Sequence, residues 1–171
     1  GPTVRKEVTF AAKIREYKKL GFDGVQFHDD DAVPDLDQLD AAGIAKAAAK
    51  VKKLLDGEGL FCEFVAPRLW ESPRTIDGAY TANSAAHRTY ALDRSKRAVD
   101  IANQIGTRDI VLWLAREGTY IREAKCPLTA VDRIVAAVNT LLEYDRNIRI
   151  LGEMKPNEPM DQAYLPTPGH F

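Results

Sequence analysis

The most reactive grouping in the sequence is a histidine followed by three aspartates. His28 precedes Asp29, Asp30 and Asp31. A carboxylate can orient an imidazole so that the ring acts as a general acid or base near neutral pH, and Asp31 is near enough along the chain to reach a ring nitrogen. The spacing by itself favours the simpler alternative, which is a surface loop of solvated acids.

Two further pairs of residues could bind a substrate or a metal ion. Glu153 and Lys155 alternate along a predicted strand, so both side chains point to the same face. They either pair with each other or act as a metal ligand beside a lysine that polarises a substrate carbonyl, and their spacing fits both roles. Trp70 and Trp113 could form an apolar wall for a sugar, although a single tryptophan more often packs in a core or a loop.

The remaining candidates indicate structural roles. Arg116-Glu117-Gly118 is expected to make a structural salt bridge rather than a substrate clamp, and His87 to lie partly exposed on a helix. Cys62 and Cys126 have the spacing of neither a disulfide framework nor a metal knuckle, so we interpret both as reduced structural thiols. The sequence contains neither a glycine-rich phosphate loop nor a nucleophile elbow, which argues against nucleotide binding and acyl transfer.

Composition and charge narrow the class of protein. The 171 residues suffice for one domain or part of one, and 45% of them are hydrophobic, as in globular proteins. A formal net charge of -1 argues against nucleic acid or an anionic membrane as a partner. Because no apolar run approaches the roughly 20 residues of a membrane span or forms a secretory signal, we expect a cytoplasmic protein.

Helices and strands alternate along the chain. Hydrophobic periodicity and glycine stops predict helices over about 4–20, 44–55, 83–105 and 131–142, and strands over 23–28, 60–65, 109–114 and 148–153. The segments 66–82 and 155–171 are predicted loops. This rhythm predicts an α/β fold with a parallel sheet, either a small open sheet or about half of an eight-stranded barrel. In both, the candidate residues fall at the carboxyl ends of the strands, where ligands bind.

Several short motifs, in order and at similar spacing, resemble the xylose isomerase family, particularly its shorter actinobacterial type. They are Gly24–Asp31, Tyr80–Asn83, Tyr90–Leu92, Trp113 with Arg116–Gly118, Lys155–Pro159 and Pro166–His170. The resemblance implies a TIM (β/α)8 barrel, of which this chain is the amino-terminal half with about four strands.

The same resemblance implies an activity and a set of site residues. The family converts D-xylose to D-xylulose, and D-glucose to D-fructose, by ring opening and a hydride shift between C1 and C2. It uses two divalent ions, commonly Mg²⁺ and alternatively Mn²⁺ or Co²⁺. The implied roles are ring opening for His28, its orientation for Asp31, binding of the C1 oxygen for Lys155, metal binding for Glu153, and aromatic walls for Trp70 and Trp113.

The departures from the family pattern limit this reading. Ala66 stands where the family has threonine, Arg68 where it has asparagine, and Met154 where it has proline, so substrate preference stays open. Of the family's metal ligands, Glu153 alone falls on this chain. We therefore expect residues 1–171 to be a single partial domain, inactive by itself, from an enzyme that the resemblance makes a tetramer acting on a small sugar.

Two alternatives remain from the sequence. The first is a sugar epimerase or another isomerase of the same barrel superfamily, which would use metal-assisted proton transfer. The second is a non-catalytic half-barrel that self-associates to complete its sheet.

Overall fold

The computed structural model describes residues 6–157 and 159–171. Five helices are present in this part of the chain: α1 (Phe10–Lys19), α2 (Asp29–Ala32), α3 (Ala41–Glu58), α4 (Ala85–Ile105) and α5 (Pro127–Tyr144). The strands are β1 (Gly24–His28), β2 (Phe61–Ala66), β3 (Asp109–Trp113), β4 (Gly118–Thr119), β5 (Arg149–Glu153) and β6 (Gln162–Ala163). Each of the four long predicted strands and helices is found, so the predicted alternation is confirmed.

Four strands form one parallel sheet in the order β1-β2-β3-β5. Parallel neighbours need a crossover, and α3, α4 and α5 supply the crossovers between successive strands of this sheet. In the register between β3 and β5, Asp109 lies beside Arg149 and Trp113 beside Glu153. The last residues of β1, β2, β3 and β5 therefore meet at one edge of the sheet, as the α/β prediction requires.

The ends of the helices follow from local capping. Thr9 accepts a hydrogen bond from the amide of Ala12, which starts α1, and Asp40 does the same for the amide of Gly43 at the start of α3. Gly106 adopts a φ of 103° and ends α4, a conformation that glycine reaches without strain.

Three predictions about elements were wrong in part. Residues 6–9 are not helical, because the cap at Thr9 starts α1 later than predicted, and residues 4 and 5 lie outside the described chain. The three aspartates form α2 rather than a loop. The predicted loop 155–171 contains β6, which pairs antiparallel with β4.

The core lies between the sheet and its helices. Val65 and Ile110 from the strands are fully buried against α4, which contributes Ala98 and Ile101 among others. Throughout the described part of the chain, each helix is too short or too polar to cross a membrane.

The two cysteines differ in environment. Cys62 is buried, its thiol donates to the carbonyl of Phe64, and burial raises the pKa of Cys62 to about 12. Cys126 is exposed at the start of α5, where backbone and side-chain hydrogen bonds from Thr129 lower its pKa. Neither thiol forms a disulfide. The predicted structural role fits Cys62, which is buried, but not Cys126, which is exposed.

Candidate functional site

The carboxyl edge of the parallel sheet brings the predicted site residues together. His28 is the last residue of β1, Trp70 follows β2, and Trp113 and Glu153 end the paired strands β3 and β5. Lys155 comes two residues after β5. The site thus arises from strand ends that are distant in sequence, as in other parallel α/β folds.

Four of these side chains form a continuous line, which we call the indole row (His28, Trp70, Trp113 and Lys155). The imidazole of His28 meets the indole of Trp70 edge-on, with ring centroids 5.1 Å apart. The two indoles lie 4.5 Å apart, and the ammonium nitrogen of Lys155 lies 4.6 Å from the centroid of Trp113. An acid–base group and a cation thus stand at opposite ends of an aromatic surface.

The indole row also carries an unused hydrogen-bond donor. The indole nitrogen of Trp113 is buried and finds no acceptor within residues 6–157 and 159–171. A buried N–H without an acceptor is costly, so a ligand oxygen beside it would remove that cost.

His28 and Asp31 are in contact, as predicted. Nδ1 of His28 lies 3.1 Å from Oδ2 of Asp31, and the same oxygen accepts from the backbone N–H of His28 at 3.3 Å. The short helix α2 produces this contact, because it turns the third aspartate back toward the histidine that precedes the helix. The alternative of a solvated acidic loop is wrong for Asp29, which is fully buried.

Asp29 is held by an arginine from a distant helix. Arg94 of α4 donates from Nε and Nη2 to both oxygens of Asp29, at 2.7 and 2.8 Å. Burial opposes the charge of this guanidinium, but the hydrogen bonds and charge of Asp29 outweigh it and raise the pKa of Arg94. The ion pair ties α2, and with it His28, to the body of the protein.

Arg68 is a site residue whose role the sequence did not reveal. Its guanidinium contacts His28, Asp30 and Asp31 and is largely shielded from solvent. Burial alone would lower the pKa of Arg68, but the nearby carboxylates of Asp30, Asp31 and Glu71 outweigh it and raise that pKa overall. Its departure from the family pattern was the only sequence signal, and spacing gave no hint of a contact across 40 residues.

Among the described residues, neither Arg116 nor Glu117 forms a salt bridge, so the expected one is not found there. Arg116 donates to the carbonyl of Trp70 at 3.2 Å and so braces the indole row. Glu117 is buried and accepts from the amides of Tyr80 and Thr81 and from the hydroxyl of Thr81. Burial raises the pKa of Glu117 in spite of these donors. His87, in contrast, lies partly exposed on α4 as predicted.

Glu153 and Lys155 lie at the same rim in different surroundings. Glu153 is exposed at the end of β5, whereas Lys155 is half-buried against Trp113. Glu158, which belongs to the same motif, lies outside the described residues. In the described chain, no three side chains of histidine, cysteine, aspartate or glutamate are grouped to hold a metal ion. A hard cation takes about six oxygen ligands, so Glu153 by itself does not make such a site.

Solved structures with the same fold are sugar epimerases among others. A 3-keto-D-glucoside 4-epimerase from E. coli matches with a TM-score of 0.64 and 15% identity, covering 86% of this chain and 52% of the other. A D-psicose 3-epimerase from Clostridium cellulolyticum matches with 0.63 and 15%, covering 89% and 49%. A D-allulose 3-epimerase from Methylomonas sp. matches with 0.58 and 21%, covering 84% and 46%.

The chain spans about half the length of these structures. At such identities the likeness shows the fold, which is part of a TIM barrel rather than a small open sheet. The narrower assignment to xylose isomerase itself is not supported by these matches. The family model described as xylose isomerase-like TIM barrel matches residues 14–170, so the chain belongs to the xylose isomerase-like TIM barrel family.

Proposed function

We propose that this chain supplies one half of the substrate site of a sugar epimerase or isomerase. The observation that carries the proposal is the indole row, in which His28 and Lys155 lie at the two ends of the surface made by Trp70 and Trp113. Apolar sugar faces stack on indoles, and sugar oxygens need acid–base and cationic groups at their edges. The sugar is the proposed partner, and a homo-oligomer, a tetramer by resemblance, is the proposed assembly.

Each residue of the row has a task in this proposal. His28, which lies against Asp31 and Arg68, contacts the ring oxygen of a cyclic sugar and serves the ring-opening step. The ammonium of Lys155 donates to the carbonyl oxygen of the opened sugar and stabilises the negative charge that develops there. Trp70 and Trp113 exclude water from the reacting carbons.

Glu153 is proposed as one ligand of a divalent cation, Mg²⁺ or alternatively Mn²⁺ or Co²⁺. When bound, such a cation polarises the sugar carbonyl as a Lewis acid. The other ligands must come from outside the described residues, because the rim offers no further cluster there.

Two reactions fit the site, and the epimerase reading has the wider support. The solved structures of this fold include enzymes named as 3- and 4-epimerases of sugars, whereas the motif resemblance favours aldose–ketose isomerisation of D-xylose or D-glucose. Epimerisation by proton transfer exchanges the substrate hydrogen with solvent. A hydride shift between C1 and C2 retains it.

The first test is binding, and the sequence makes it specific. The chain has two tryptophans, and both belong to the indole row, so tryptophan fluorescence reports on this site alone. We expect a saturable change with D-psicose, D-fructose or D-xylose and none with glycerol at equal concentration. Lys155→Met should weaken sugar binding, and because Lys155 lies over Trp113, each titration is compared with the starting spectrum of the same variant. Absence of a saturable change with every sugar would refute the proposal.

The second test separates the two reactions. The native full-length polypeptide is incubated with each sugar and divalent metal in D₂O, and the product is analysed by proton NMR. Deuterium on the product carbon supports epimerisation by proton transfer, and its absence supports the hydride shift. No turnover of any sugar contradicts both.

A further inference from the structure

Two groups compete for one ring nitrogen of His28. Nδ1 lies 3.1 Å from Oδ2 of Asp31 and 3.1 Å from Nη2 of Arg68. A carboxylate accepts hydrogen bonds, whereas a guanidinium can only donate them. Nδ1 can therefore bond to Asp31 as an N–H or to Arg68 as a lone pair, but it cannot do both at once.

The other contacts of Arg68 hold it in this position. Its Nε donates to Asp30 at 2.8 Å, and its Nη1 to Glu71 at 3.3 Å. The two protons on Nη2 face Oδ1 of Asp31, at 3.2 Å, and Nδ1 of His28. All of the guanidinium edges are thus engaged, and only 18% of the side chain is exposed. A planar fork fixed on three sides has little freedom to turn away from the ring.

Asp31 does not need the ring proton. Its Oδ1 accepts from Arg68, and its Oδ2 accepts from the backbone N–H of His28 at 3.3 Å. A proton on Nδ1 would satisfy Asp31 again but would point one N–H at another, since Nη2 of Arg68 is a donor. With Nδ1 as an acceptor, both protons of Nη2 have acceptors and both oxygens of Asp31 keep donors, at the cost of a lone pair that faces Oδ2 of Asp31.

We propose that Arg68 holds Nδ1 of His28 as a hydrogen-bond acceptor, so that the neutral imidazole carries its proton on Nε2. The family resemblance instead gives the orientation of His28 to Asp31. Arg68 stands where that family has asparagine. An asparagine amide can either donate to Nδ1 or accept from it, whereas a guanidinium can only donate. Arg68 is thus a positioning residue that acts through His28.

This arrangement changes what the site offers to a ligand. If the proposed function holds, on which this consequence rests, His28 meets the sugar oxygen with an N–H donor at Nε2. Through Nε2 the ring then donates a hydrogen bond to that oxygen and has no lone pair there with which to remove a proton. The proton position itself does not depend on whether the ligand is a sugar.

The test is a spectrum of the imidazole nitrogens of the 171-residue chain. The chain has three histidines, so long-range proton–nitrogen NMR of ¹⁵N-labelled protein gives three ring patterns, and His28→Gln identifies the one from His28. The spectrum is recorded without sugar at about pH 8.5, where an ordinary imidazole is neutral. We expect Nδ1 of His28 at the far-downfield shift of an unprotonated nitrogen and Nε2 at the shift of an N–H.

Substitution of the arginine should reverse the pattern. In Arg68→Met, Nδ1 loses the donor that faces it. The ring proton then moves to Nδ1 and hydrogen-bonds to Asp31, so the two nitrogen shifts exchange. The matched control is Arg74→Met, an arginine of the same loop that donates to Asp37 and stacks on Tyr90, and it should leave the pattern unchanged.

Two results would overturn the proposal. One is a wild-type spectrum with the proton on Nδ1 or averaged over both nitrogens, which decides the matter even if Arg68→Met does not fold. The other is an unchanged pattern in a folded Arg68→Met. Because no sugar is present, either result stands apart from the binding test of the proposed function.

Discussion

Asp29, whose charge is buried, is the residue on which the geometry of the site depends. Its two oxygens accept from Arg94 and also from the amides of Asp30 and Arg68, at 2.9 and 3.0 Å. One carboxylate therefore fixes the start of α2 and the loop after β2, and these carry Asp31 and Arg68, the two groups that lie against Nδ1 of His28. An ion pair with this many donors is costly to break from one side.

Removing Arg94 should destabilise the protein strongly. Arg94→Met keeps much of the volume but leaves Asp29 fully buried without its counter-charge, and we expect a loss of about 3–5 kcal/mol in the free energy of unfolding. The control is Arg15→Ala, an exposed arginine paired with Glu58, for which a loss of about 0.2–1 kcal/mol is expected. Urea unfolding of both variants measures the difference. Equal losses in the two would show that the buried pair has no special weight.

At the scale of elements, periodicity in the sequence was sufficient for the parallel sheet and its helices. Buried residues at helical spacing, such as Ala98, Ile101 and Ile105, predicted the inner face of α4, and glycine marked its end. The pair β4 and β6 was not predictable in the same way. Each strand has two residues, which is too short for a hydrophobic pattern, and their pairing joins segments more than 40 residues apart.

The small antiparallel pair should depend on one glycine. A Cβ on Gly118 would lie 2.6 Å from the carbonyl oxygen of Gln162 and 3.0 Å from Cα of Ala163, so the two backbones would have to move apart. We expect Gly118→Ala to cost about 1–3 kcal/mol and to speed hydrogen exchange of the Tyr164 amide, which donates to the carbonyl of Glu117.

At a second glycine, Gly57, substitution by alanine is expected to stabilise the protein rather than destabilise it. A Cβ on Gly57, inside α3 and exposed, would meet nothing within 4 Å. Gly57→Ala should therefore raise stability by about 0.5–1 kcal/mol, the usual gain of alanine over glycine in a helix. Thermal unfolding and amide exchange measure both variants. A Gly118→Ala protein as stable as Gly57→Ala would contradict the close approach of β4 and β6.

For the molecule as a whole, the sequence predicted which residues gather at the carboxyl ends of the strands but not the contacts between them. The carboxyl ends of the strands placed His28, Trp70, Trp113 and Glu153 on one rim, because parallel strands share a direction. Proton positions on His28 depend on Arg68, which approaches through a loop, and such contacts leave no periodic signal. The order of the motifs pointed to the xylose isomerase-like TIM barrel family, while the narrower assignment to xylose isomerase is not supported.

The proposed metal site needs more ligands than the described residues bring together. A single exposed carboxylate at Glu153 binds a divalent ion weakly, since the ion would keep most of its water. We expect millimolar MnCl₂ to leave the melting temperature of the 171-residue chain unchanged, because a ligand at a tenth of its dissociation constant adds less than about 0.1 kcal/mol. In the native full-length polypeptide the same addition should raise it, and Glu153→Gln should abolish that rise. Scanning calorimetry with and without EDTA measures all four cases. A rise in the 171-residue chain that Glu153→Gln removes would mean that this half of the barrel already holds a complete metal site.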